Sequence, residues 1–194
     1  MKQKIILVIL SLLLGFLISS CYPYVKHPSM GNWPVYVPAR MPQLSLAGIL
    51  SPAPERCAIR AVDLLGAWVT ANVPENDPFP FTDTSGKPCL GTFNEDILPL
   101  LSQANLWYAG SPSCRTCHGP DVQISYARLD LSSYQGILAG SGRESADTPG
   151  DDILGGGNWE TSELYDVLTK GEMPPDRPAD VNSLGPVVYA GNSK

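Results

Sequence analysis

Two thiols and an imidazole stand together in the run Cys114-Arg-Thr-Cys117-His118. Thiols at i and i+3 share one face of a helical turn, where both can add to the two vinyl groups of a single haem. The histidine directly after the second thiol can then turn a ring nitrogen toward the iron. Two other chemistries use a CxxC. A thioredoxin-like redox pair sits beside a βαβ pattern, which is not found here. A four-thiol zinc site needs a second pair, and Cys57 and Cys89 do not form another CxxC. The spacing selects covalent attachment of one haem c through Cys114 and Cys117, with His118 as proximal ligand.

A second axial donor must come from His27, Met30, Met41 or Met173. Met173 lies in Gly171-Glu-Met173-Pro-Pro175, just past an expected helix end, where prolines enforce an extended chain able to cross a haem face. The other three fall in a proline- and aromatic-rich N-terminal segment. Met173 is therefore the expected distal ligand. Histidine–methionine ligation fills both axial positions and raises the potential relative to bis-histidine ligation, which suits single-electron transfer. An open sixth position would instead make a haem-based sensor or gas-binding module, which the ordinary Met-Pro-Pro loop argues against. Arg128, Asn158 and Trp159 are candidates for haem-edge contacts. No Ser/His/Asp or paired-carboxylate constellation stands out, so an electron-transfer protein is expected and not an enzyme.

These residues need elements to position them. Ile59, Val62, Leu65, Trp68 and Val69 recur at three- and four-residue steps and predict a helix over 58–72. Further helices are expected from Asp96, taken as an N-cap, over 130–138, and over 162–170 with Gly171 at the C-cap. Residues 73–93 read as turns, and no strand alternation persists. The expected fold is small and all-α, with a globule over 57–180, an extended arm over 21–56 and an extended tail over 181–194.

Residues 1–20 carry Lys2, Lys4, no acid, and an apolar run from Ile5 to Ile18, the length of a signal-peptide core. Ile18-Ser19-Ser20-Cys21 resembles a bacterial lipobox, which implies cleavage before Cys21 and lipid on its thiol. An uncleaved span running on through Tyr22 is the alternative. Either version tethers the body to a membrane, on the outer, periplasmic face. Cys57 and Cys89 then remain as a disulfide pair in an oxidising compartment. Loss of Lys2 and Lys4 with the leader takes the formal net charge from −6 to −8, which argues against nucleic acid as a partner.

CxxCH followed about fifty residues later by Gly-x-Met-Pro-Pro resembles class I cytochrome c. Three stretches are similar to the planctomycete-type cytochrome c domain: Asp96-Ile-Leu-Pro-Leu-Leu101, Leu129 to Gly140, and Ser162-Glu-Leu-Tyr165 leading to Pro175. The resemblance covers about 96–176 and implies the class I fold. This chain departs from it in two places. Gln103 to Ser113 lengthens the connection before the first haem thiol, and the terminal helix after Met-Pro-Pro is missing. Leu64-Leu-Gly-Ala-Trp68 carries the pattern of that helix, so the 58–72 helix is expected to replace it, as in a circular permutation. Anchor, arm and tail together resemble the monohaem lipoprotein subunit of alternative complex III. That resemblance implies partner subunits of a quinol-oxidising complex and a periplasmic electron acceptor. A cytochrome subunit of another periplasmic dehydrogenase or oxidase is the further alternative.

Overall fold

The helix expected over 58–72 is split between two elements, a strand β1 (Cys57–Arg60) and a helix α1 (Ala61–Thr70). The structure, a computed structural model, describes residues 55–194. The expected leader, Cys21 and all of the arm up to residue 54 lie outside the described residues. So do His27, Met30 and Met41.

α1 is buried almost all round, with Val62, Leu64, Leu65, Trp68 and Val69 each at most 1% exposed. Only a narrow stripe of Asp63, Ala67 and Thr70 reaches solvent, and the other elements pack around the rest. The Trp68 ring centroid lies 5.3 Å from that of Phe93, and its Nε1 donates to the Pro74 carbonyl at 3.0 Å. Gly66 faces the indole of Trp159: a Cβ there would stand 2.5 Å from Trp159 Cδ1. Gly-to-Ala inside a helix ordinarily gains up to about 1 kcal/mol. Here overpacking, at about 1–3 kcal/mol, opposes that gain and exceeds it. Gly66→Ala is expected to lower the urea midpoint; a midpoint that rises would show that Trp159 can retreat.

The fold is mixed α/β, which corrects the all-α expectation. β1 pairs antiparallel with β4 (Val187–Ala190), in the register Cys57↔Ala190 to Arg60↔Val187. A second antiparallel sheet holds β2 (Phe79–Thr82), β3 (Pro88–Gly91) and β5 (Asn192–Ser193), in the order β2-β3-β5. β2 and β3 form a hairpin inside the stretch read as turns. The extended C-terminal segment thus supplies a strand to each sheet. The expectation failed because each strand spans only two to four residues, too few to establish a period. Two of the three pairings also join chain segments about a hundred residues or more apart. The Cys57–Cys89 disulfide ties β1 to β3, and both half-cystines are buried.

A π-helical turn (Phe93–Ile97) runs directly into α2 (Leu98–Ser102). Its cap is Thr92, whose hydroxyl accepts from the Glu95 N–H, and not Asp96. The Asp96 carboxylate is instead buried inside the turn. One of its oxygens accepts from Gly191 N–H (2.7 Å) and Arg56 Nη2 (2.9 Å), and the other from Thr92 N–H (2.7 Å). Burying a carboxylate requires such satisfied lone pairs, and these bind the C-terminal strands to the turn that precedes α2. The single turn α3 (Cys114–Cys117), α4 (Tyr134–Ala139) and α5 (Glu163–Thr169) complete the α-helices among the described residues. α4 and α5 are capped by Ser133 and Ser162, whose hydroxyls accept from the Gly136 and Tyr165 N–H groups. No helix among the described residues is long and apolar enough to cross a membrane.

Candidate functional site

Ser113 at the N-cap, its hydroxyl 2.8 Å from that of Thr116, opens α3. The His118 N–H donates to the Cys114 carbonyl at 2.9 Å and closes it. This one turn places Cys114, Cys117 and His118 on the same side, facing a cavity of about 300 Å³. Leu101 of α2, Leu131, and Leu164 and Leu168 of α5 make its apolar walls. Met173, Pro174 and Pro175 complete it. α5 delivers this last group. The chain leaves the helix through Gly171 at φ +80°, and the N–H groups of Glu172 and Met173 both donate to the Val167 carbonyl, at 3.0 and 3.1 Å.

His118 is buried, and its Nδ1 lies 2.9 Å from the Tyr126 carbonyl. A carbonyl oxygen only accepts, so Nδ1 carries the proton and Nε2 holds the free lone pair. A backbone carbonyl on the far nitrogen is the usual way a metal-binding imidazole is oriented. The residues fit a haem: one oriented imidazole, one thioether, two thiols on a single turn, and apolar walls for the ring.

Burial pushes the Cys114 thiol up to about 11, and neighbouring Cys117 adds in the same direction. A disulfide oxidoreductase needs the opposite, a thiol lowered toward neutrality. The zinc alternative fails too, since Cys57 and Cys89 are bonded to each other.

Residues 114–177 match a family described as Planctomycete cytochrome C. The match supports a cytochrome c-like domain over these residues. Such a domain implies haem and supports an electron-transfer role. No curated protein and no solved structure matches the chain.

The cavity gathers Cys114, Cys117, His118 and Met173, and leaves three weaker candidates outside. Trp159 is buried against Gly66 and Tyr165, while Arg128 and Asn158 are exposed; none of them lines the cavity. Sequence reasoning missed the Tyr126 carbonyl, because a backbone acceptor leaves no mark in residue type. It also missed Tyr108, whose hydroxyl donates to the Pro175 carbonyl. The lengthened connection before Cys114 was the available signal.

Proposed function

We propose that this chain is a monohaem c-type cytochrome that passes single electrons on the periplasmic face of a membrane. Cys114 and Cys117 are the covalent anchors, His118 the proximal ligand and Met173 the distal one. The observation that carries this reading is the convergence of those four side chains on one apolar cavity, with the His118 Nε2 lone pair left free. When bound, the haem supplies a one-electron couple. The protein's own contribution is to orient the imidazole through the Tyr126 carbonyl. It also presents the thioether from a proline-stiffened loop and keeps water from the ring with Leu101, Leu131, Leu164 and Leu168. Fixed surroundings of this kind keep the reorganisation that accompanies a charge change small.

Lipid on Cys21 holds the protein at the membrane, and the buried Cys57–Cys89 disulfide supports the oxidising compartment that this requires. The chain serves as a resident subunit of a quinol-oxidising complex of the alternative complex III type, giving its electron to a periplasmic acceptor. The pyridine haemochrome spectrum tests the core of this. It should report one haem per chain, retained after denaturation, and lost when both Cys114 and Cys117 become serine. Two thiols free to alkylate in protein that carries its haem would sink covalent attachment.

A further inference from the structure

The Met173 loop has an unusual deficit. Pro174 and Pro175 have no N–H, so across these two residues the backbone cannot anchor itself by donating. Its carbonyls are the remaining handles, and two side chains take them. Tyr108 Oη donates to the Pro175 carbonyl, and Arg177 Nη2 donates to the Met173 carbonyl. Tyr108 is carried on a braced segment. Next to it, Trp107 is buried with Nε1 donating to the Leu100 carbonyl of α2 at 2.8 Å. Asn105 N–H donates to the Ser111 carbonyl (2.8 Å), Gly110 N–H to Asn105 Oδ1 (2.9 Å) and Ser111 N–H to the Tyr108 carbonyl (3.0 Å). Arg177 packs beside Gly171, at the start of the same loop, and its Nε is buried with no partner among the described residues.

We propose that the segment from Gln103 to Ser113 is a clamp on the ligand loop, and that Tyr108 and Arg177 are positioning residues for Met173. The proposal rests on the reading of Met173 as distal ligand. Loop movement eases the departure of a methionine from iron; Tyr108 ties the loop to the 103–113 segment, and Arg177 braces it from within. The clamp therefore sets how readily an outside ligand displaces the thioether, while the covalent anchors stay unaffected.

Imidazole titration of the ferric haem protein tests this, with the red methionine–iron charge-transfer band followed in parallel. Tyr108→Phe removes one hydroxyl and keeps the ring; Arg177→Leu removes the second donor. Each should tighten apparent imidazole binding about three- to tenfold, the worth of one net hydrogen bond. Tyr134→Phe, whose hydroxyl donates to the Val73 carbonyl and not to the loop, should match the parent protein. If both loop variants lower the urea midpoint but bind imidazole as the parent does, the two residues are merely structural and the clamp is overturned. If the parent protein itself lacks the methionine band, the ligand reading falls and the clamp with it. A normal parent band with unmoved variants sinks the clamp alone.

Discussion

Met173→Ala is expected to keep its covalent haem and lose the charge-transfer band near the red end of the ferric spectrum. Cys114 and Cys117, on α3, are untouched by a change in the loop beyond α5. The thioether stabilises ferrous iron, so its loss should lower the potential by a sizeable part of the ~0.8 V range that axial ligands control. The emptied position faces an opening, since Met173 is 38% exposed. Carbon monoxide should therefore bind the reduced variant and not the parent. Potentiometry and a carbon monoxide difference spectrum read both effects. If the band and the potential survive, the ligand is another residue, with His27, Met30 and Met41 next in line. Carbon monoxide binding by the parent protein would favour the gas-binding alternative.

The double variant Cys57→Ala/Cys89→Ala should lose about 3–4 kcal/mol, the chain-entropy value for a closed loop spanning the observed separation of 32 residues. For a domain of this size that corresponds to a fall of roughly 10 °C in the thermal midpoint. The bridge joins strands of two different sheets, neither of which exceeds three strands or four residues per strand. Sheets so small have little stability of their own. Thermal unfolding followed by far-UV circular dichroism measures the effect. A loss below about 1 kcal/mol would mean that α1 and the Asp96 contacts hold the sheets together without the disulfide.

What the sequence disclosed depended on how local the signal was. The Cys114–His118 run is a single turn, and its spacing alone placed three groups on one side. Gly171, Pro174 and Pro175 likewise advertised the loop that carries Met173, because their backbone limits act within a few residues. Ser162 and Gly171 bracketed α5 for the same reason. The sheets were not legible. Ile59 fits the three- and four-residue rhythm of α1, but its backbone is claimed by Val188, far along the chain. Phe79 and Phe81 alternate with Pro80 and Thr82, yet one four-residue strand interrupted by proline reads as a turn. Asp96 shows the limit of reading by residue type. It has the chemistry of a cap, while the cap here is Thr92 and the carboxylate serves the far end of the chain.

The pairing of β1 with β4 also orders events in time. Cys57 meets Ala190, so everything from α1 to the end of the Met173 loop lies inside one long closure between strands near the two ends of the described chain. A contact of such sequence separation is entropically slow to form. A chain emerging N-terminus first cannot make it until Val187–Ala190 have emerged. Until then the Cys114–His118 turn belongs to an unclosed chain, accessible to whatever must react with its thiols. The Gly191 N–H bond to Asp96 belongs to the same long-range closure.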